Sequence, residues 1–474
     1  MIESINISSF KAFNKMQKVK CKPITLIYGQ NSAGKSSLLQ SLLLLQQTMN
    51  EINIDDTALI TKGKLLDLGN YREMVYSHNT DNNISISNSF KIEEGPRFGL
   101  WRDIVDSVKY ESIFSCDKSN LISLERINLY YNDDIKPFIT LKKSNSVDTY
   151  FKMWRTTRSI RGTKPNNYFI ESINKESSII KKIYENLKSK KILECSIDEI
   201  YESLKNTANY IGINVEGFLI SGIGIKREYN RAKSTKEING FEIDDLLILT
   251  GINYKKELSS ITYLGPLREY PERHYIFSGS SPISVGKSGK NMSDMLFRNQ
   301  SLIKEVNDWL NRFEINYSMK INKIDDSEIT DVYSMRLIDT VSNISVSPLD
   351  VGFGISQILP IIVQSLISKN SCICIEQPEI HIHPKLQTIF GSFLAECIKQ
   401  DNQFIIETHS EHILLRLKRL IKEGVLTNDD VCIIYVQRTQ SGSKCLELRL
   451  DEDGDFIDEW PDGFFEEGYK EVFF

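Results

Sequence analysis

The sequence predicts an α/β fold, a sheet with flanking helices interrupted by a long insertion. Three observations carry this expectation. A short apolar strand runs into a glycine-rich loop and a leucine-rich helix near residue 30. Strand and helix patterns alternate again over the last 220 or so residues, the spacing of a parallel sheet with covering helices. Between these ends the composition changes, and no internal repeat or low-complexity tract joins them.

Composition bounds the classes to consider. The 474 residues are 41% hydrophobic and 26% charged, enough apolar content for a sizeable core; the length suggests about three domain-sized units. The 22 Phe, 20 Tyr and 4 Trp exclude extended disorder, because aromatic rings need large buried surfaces. With 58 Lys and Arg against 63 Asp and Glu the net charge is −5, which excludes a wholly basic nucleic-acid coat but not a local basic patch. Eight scattered cysteines form no CxxC, and six histidines supply no zinc-finger spacing. Free thiols in a reducing cytoplasm are expected. The start, Met1 to Phe13, opens with an acid and alternates like a strand, unlike a signal peptide. The longest apolar runs, Leu42 to Leu45 and Ile358 to Leu366, fall short of the ~18 residues of a membrane span. No membrane association is expected.

Taken in order, Met1 to Ser9 alternate as a strand, Ile24 to Tyr28 form a buried strand, and Leu38 to Leu45 belong to a buried helix. Residues 81–150 break into short alternating strands. Over 151–240 there are 17 Lys and Arg against 10 Asp and Glu, with helices expected at Ile179 to Leu187 and Ile197 to Leu204. Ser371 to Glu376, Phe404 to Glu407 and Val431 to Val436 read as strands. Leu386, Ile389, Phe390, Phe393, Leu394 and Cys397 mark one face of a helix. From Asp451 to Phe474 there are ten acids and one lysine. The expected division is 1–95, a first core lobe; 96–255, an insertion, β-rich then helical and locally basic; 256–450, a second core lobe; and 451–474, an acidic tail.

The loop Gly29-Gln30-Asn31-Ser32-Ala33-Gly34-Lys35-Ser36, followed by Ser37, matches G-x-x-x-x-G-K-[ST] between a strand and a helix. Its glycines let the backbone curl so that successive N–H groups face phosphate oxygens, and the helix start adds to the anion site. The motif predicts ATP with Mg²⁺: Lys35 toward the β- and γ-phosphates, the Ser36 hydroxyl on the metal. Glu376, at the end of an apolar strand, is placed to hold Mg²⁺ with Ser36. Phe404-Ile-Ile-Glu-Thr-His409-Ser is a second strand running into a polar segment, where His409 would sense the γ-phosphate. His381-x-His383 suits a metal by chemistry, yet reads as part of a turn.

These segments, with Asp350-Val-Gly-Phe-Gly-Ile-Ser-Gln357 and Glu376-Gln-Pro-Glu-Ile-His-Ile-His-Pro384, resemble the ABC-type P-loop ATPases of the RecF/SMC-like and OLD-like branch. Leu264-Gly-Pro-Leu-Arg268 and Trp460-Pro-Asp-Gly-Phe-Phe465 resemble a branch whose C-terminal domain has no assigned function. The resemblance covers roughly 1–95 and 256–474. It implies an ABC-type ATPase head, with a mixed sheet and flanking helices, that carries a large α/β insertion. It also implies a homodimer or higher homo-oligomer closed around ATP, with Gly352, Gly354 and Ser356 as the signature segment; a helix cap is the lesser alternative for Ser356. Gln377 stands where the family usually has a glutamate that polarises the attacking water, and an amide is a poor proton acceptor. Glu379 could supply the missing charge, and slow hydrolysis is expected. Phe13, with Phe10, is either an adenine contact or core.

Lys152, Arg155, Arg158, Arg161 and Lys164 recur every three residues with no acid between them. They read as a DNA contact, a dock for an acidic partner, or a solvated surface. The resemblance further implies a sensor or scaffold in bacterial anti-phage defence, controlling a separate effector protein such as a nuclease or toxin. The alternatives are a RecF-like DNA repair ATPase and a structural switch that holds ATP without turnover.

Overall fold

A computed structural model describes residues 1–51, 57–92, 101, 103–144, 151–156, 166–189, 195–226, 241–323 and 331–461. The chain forms two compact units, one of residues 1–19 and 40–259, the other of residues 20–39 and 260–474.

The first unit is built on a ten-stranded sheet. In spatial order its strands are Gln17–Lys20, Ile2–Ser8, Ile84–Lys91, Ser107–Cys116, Ile122–Tyr131, Ile139–Lys143, Asn166–Ile173, Ile211–Glu216, Leu219–Lys226 and Phe151–Thr156. From Ile2–Ser8 onward every pairing is antiparallel. Strand alternation separates two faces. On one, Val108, Tyr110 and Phe114 are buried, and the helix Ile243–Ser259 meets the sheet at Tyr110. Tyr254 of that helix stacks on Tyr110 at 4.3 Å and Phe90 at 5.3 Å. The helix approaches so closely at Gly251 that a Cβ there would lie 2.5 Å from the Ile220 carbonyl oxygen. On the other face Asn6, Ser87, Glu111, Asn128 and Thr140 stand in register across five strands. The Glu111 carboxylate accepts from Ser85, Asn128 and Tyr130 at 2.7, 2.8 and 2.9 Å, which satisfies a buried charge.

The helices expected in the basic segment form as Ser178–Ser189 and Ile197–Ala208, the second opened by a Ser196–Glu199 capping box. The expected boundary at residue 95 does not divide the units, because Ile84–Lys91 and Ser107–Cys116 are hydrogen-bonded along their lengths in a single sheet. Of the basic stretch, Lys152 and Arg155 lie on the edge strand Phe151–Thr156, paired with Leu219–Lys226. Arg158, Arg161 and Lys164 lie outside the described residues.

The second unit holds a six-stranded sheet in the order Ile261–Leu264, Cys372–Glu376, Gln403–Glu407, Ile24–Gly29, Val431–Gln437, Lys444–Glu447. The first five are parallel and the last is antiparallel, so the sheet is mixed, as expected. Every residue of Ile24–Gly29, Cys372–Glu376 and Gln403–Glu407 is buried, the mark of strands covered on both faces. Phe390, Phe393, Leu394 and Cys397 of the helix Pro384–Cys397 enter the core with Ile413, Leu414 and Leu417 of Glu411–Lys422. A smaller sheet of Tyr275–Ile276, Val332–Asp339, Tyr317–Lys323 and Ser345–Val346 completes the unit. Within the acidic tail, Trp460 sits edge-on to Tyr28, Tyr435 and Phe456 at 5.8, 6.0 and 5.2 Å, so the start of the tail is packed on the sheet. Among the described residues no helix is long and apolar enough to cross a membrane.

Candidate functional site

Parallel strands deliver their carboxyl ends, and the loops that follow them, to one edge of a sheet, where ligand sites of such sheets form. In the second unit the strand Ile24–Gly29 ends in the glycine-rich loop, and its neighbours Gln403–Glu407 and Cys372–Glu376 end in acids.

Two features force the loop's shape. Gly29 has φ +143°, and a Cβ there would lie 2.2 Å from the Val436 carbonyl oxygen of the adjacent strand, so only glycine fits. Ser32 is left-handed at φ +61° and Gly34 lies at φ +102°. Together they curl the chain before the helix Lys35–Glu51 begins. Gln30, Asn31 and Ser32 form the exposed tip, whereas Ala33, Lys35 and Ser37 are buried. Ala33 N–H donates to Gln30 O at 3.3 Å and Ser37 N–H to Gly34 O at 3.0 Å. Lys35 folds back and donates from Nζ to the Gly29 and Gln30 carbonyls at 3.1 and 3.0 Å. Burial pushes its ammonium pKa down, and the charges of Glu407 and Glu379 work against that shift.

Two buried carboxylates, Glu376 and Glu407, and the half-buried Glu379 face this loop region. Glu376 and Glu407 are paired residues at the ends of adjacent parallel strands. Tyr263 donates its hydroxyl to Glu376 Oε1 at 2.9 Å. The Ser36 hydroxyl is hydrogen-bonded to the Glu407 side chain. Glu407 Oε2 is buried with no hydrogen-bond partner among the described residues. Glu379 has both oxygens engaged, Oε2 by the Thr408 hydroxyl and Oε1 by the His409 N–H, each at 2.7 Å. It therefore ties the turn after one strand to the loop after the next. Burial pushes all three carboxyls above the usual range, and a neighbouring carboxylate adds to the rise at Glu376 and Glu407.

Gln377 follows Glu376 at φ +45°, a left-handed conformation held by its N–H donating to Glu407 O at 2.7 Å. His409 is half-buried; burial first, and the Lys35 charge second, hold its pKa below the ordinary value and favour a neutral imidazole.

Sequence reasoning assigned no role to Glu407, Tyr263 or Arg268. Arg268 is only 3% exposed and donates from Nη2 to the Glu376 carbonyl at 2.9 Å. Its Nε and Nη1 have no partner among the described residues. Burial brings its pKa down to about 10 against the opposing charges of Glu379 and Glu376. Glu407 carried one legible signal, an acid ending an apolar strand, the same signal that singled out Glu376.

The candidate signature segment opens the helix Phe353–Ile367, with exposed Gly352 at its start. Gly354 packs against the turn at His381, and the Phe353 and His381 rings lie 5.0 Å apart. Ser356 is buried and gives its hydroxyl to Phe353 O at 2.6 Å, a bond within the first turn of its own helix. His383 caps the helix Pro384–Cys397, its Nδ1 accepting from Lys385 N–H at 3.2 Å, which suits the turn reading. Phe10 and Phe13 are wholly buried in the first unit and bridge each other through their backbones.

A family model described as AAA ATPase domain matches residues 1–414. Another, described as Protein of unknown function (DUF3696), matches residues 426–473. No curated protein matches the chain. Among solved structures, the SMC head domain from Thermotoga maritima is similar at 9% identity and a TM-score of 0.40, over 95% of this chain and 99% of that one. An Smc head domain with a coiled coil and joint from Pyrococcus yayanosii is similar at 10% identity and a TM-score of 0.43, over 96% and 98% of the two chains.

Proposed function

The chain belongs to the AAA ATPase domain family, and from that premise we propose that it binds ATP with Mg²⁺ in the Gly29–Ser37 loop and hydrolyses it slowly. The observation that carries this reading is the curled loop closed by Lys35, with Ser36 and Glu376 brought to the same sheet edge. The backbone N–H groups from Ser32 to Ser36 would bind the β- and γ-phosphates. Lys35 would exchange its two carbonyl partners for phosphate oxygens, a charge-assisted and therefore stronger contact. The residues fit a hard divalent cation, since Ser36 and Glu376 offer oxygen donors and Glu407 Oε2 is a buried carboxylate oxygen with no partner among the described residues. Bound there with the nucleotide, Mg²⁺ would offset phosphate charge.

In hydrolysis a water oxygen forms a bond to the γ-phosphorus while the bond to the ADP oxygen breaks, and the water proton passes to phosphate or solvent. Gln377 would orient that water through its side-chain carbonyl but is too weak a base to take the proton. His409, neutral and near Lys35, would donate to or accept from the γ-phosphate region. Single-turnover hydrolysis with the unaltered protein, Lys35→Ala and Gln377→Glu tests the reading. Cleavage should be slow, absent in Lys35→Ala and faster in Gln377→Glu. Equal cleavage in Lys35→Ala would overturn it.

Slow turnover supports a wider role. Two chains would close head to tail around ATP, the exposed Gly352 start of one facing the nucleotide of the other. The assembly would act as a sensor or scaffold that controls a separate effector in anti-phage defence. The left-handed, hydrogen-bonded placement of an amide at Gln377 also favours a second reading, a switch that holds ATP without cleaving it. ATP-dependent assembly without phosphate release would select that reading.

A further inference from the structure

We propose that Glu407 is a second carboxylate ligand for the divalent cation that accompanies the nucleotide, completing an oxygen donor set with Ser36 and Glu376. This rests on the ATP-binding reading above and adds a residue to that site.

Glu407 ends its strand beside Glu376 in the neighbouring strand, as a directly paired residue. Side chains at paired positions of adjacent parallel strands point to the same face, so both carboxylates leave the sheet together. Glu407 is 5% exposed, yet its Oε2 meets no donor among the described residues. A buried carboxylate oxygen without a donor is rare in a folded protein and calls for a missing partner. The natural protein partner would be Lys35, but its Nζ is turned to the Gly29 and Gln30 carbonyls. The contact that Glu407 does make is with the Ser36 hydroxyl. Glu407 and Glu376 are thus two carboxylates on one edge of the site, and a hydroxyl belonging to the phosphate loop bonds one of them.

The cluster also crowds like charges, since Glu407 bears on Glu376 and Glu379 bears on Glu407. Arg268 serves the Glu376 carbonyl rather than either carboxylate, and Glu379 is satisfied by Thr408 and His409. A dication between Ser36, Glu376 and Glu407 answers the unpartnered oxygen and the crowding of like charges together. All three donors are hard oxygens, the set that takes Mg²⁺ or Mn²⁺ rather than a thiolate-seeking metal.

The test uses the full chain with adenylyl imidodiphosphate and Mn²⁺ as the probe, read as loss of the free Mn²⁺ paramagnetic resonance signal. Glu407→Gln should bind the nucleotide in EDTA within about twofold of the unaltered protein. Its nucleotide complex should bind Mn²⁺ about 10–100-fold more weakly. Glu407→Asp, which keeps the charge on a shorter arm, should fall between and serves if the Gln variant does not fold. Mn²⁺ affinity unchanged in Glu407→Gln or Glu407→Asp while Glu376→Gln loses it would overturn the proposal and leave the ATP site standing. Nucleotide binding that survives unchanged in Lys35→Ala would overturn the ATP-binding reading itself.

Discussion

The Gln377 N–H donates to the Glu407 carbonyl at 2.7 Å, carrying the strand ladder one residue past Glu376. That bond holds Gln377 at φ +45°, so the direction of its side chain is set by a neighbouring strand. Gln377→Glu should therefore keep the backbone and change the chemistry. We expect unfolding stability within about 0.5 kcal/mol of the unaltered protein, as for a partly exposed substitution. Single-turnover cleavage should rise at least tenfold, within the range that general-base catalysis contributes. Chemical denaturation and rapid-quench measurements check the two halves separately.

Gly29→Ala should fail for a backbone reason. The new methyl would meet the Val436 carbonyl oxygen at 2.2 Å in a conformation that L residues rarely adopt. A loss of about 2–4 kcal/mol of stability is expected from strain and overpacking together. Urea titration checks it, and an equally stable variant would contradict the strand-to-loop geometry.

Arg268 pins the carbonyl of Glu376 from a buried position. Arg268→Gln removes a buried positive charge that stands near Glu376 and Glu379, a change that typically costs about 3–5 kcal/mol when a buried charge partner is removed. Arg268→Lys retains the charge and should recover about half of that loss, because an ammonium cannot reproduce the planar donor fork. Thermal and urea unfolding of the pair separate charge from geometry.

Trp460 touches Tyr28, Tyr435 and Phe456. Trp460→Ala should destabilise the second unit by about 2–4 kcal/mol, somewhat below the cost for a fully buried Trp. Proteolysis in the 451–461 region should quicken in step, which mass spectrometry of the fragments would detect.

Glu111 in the first unit accepts from three side-chain donors. Glu111→Gln presents an amide NH₂ to at least one of them, so about 2–3 kcal/mol should be lost from one unpaired buried donor and one lost charge-assisted bond. Hydrogen exchange of the Ser107–Cys116 and Ile122–Tyr131 strands reads this locally.

The phosphate-loop geometry was legible because its cause is local: Gly29, Gly34 and Lys35 act within eight residues, and the motif carries its own strand-to-helix context. Glu376 was legible for the same reason, as an acid closing an apolar strand. The helices at Ser178–Ser189 and Pro384–Cys397 were legible from periodicity, since burial of one helical face leaves a 3.6-residue signature. The boundary at residue 95 was misplaced because a shift in composition does not reveal hydrogen bonding, and Ile84–Lys91 pairs with a strand beyond it. The stretch from Lys152 to Lys164 showed spacing, but spacing alone leaves DNA, an acidic partner and solvent equally able to face it.

By itself the sequence determined that a glycine-rich loop joins a buried strand to a buried helix, and that acidic strand ends accompany it within an α/β chain. Only the tertiary structure decided that Glu407 stands beside Glu376, that Arg268 reaches Glu376 across 108 residues, and that Glu379 is committed to Thr408 and His409. The physical reason is register. Which residues meet at a sheet edge depends on strand order and on alignment across the ladder, and both are properties of the packed core rather than of any local run of residues.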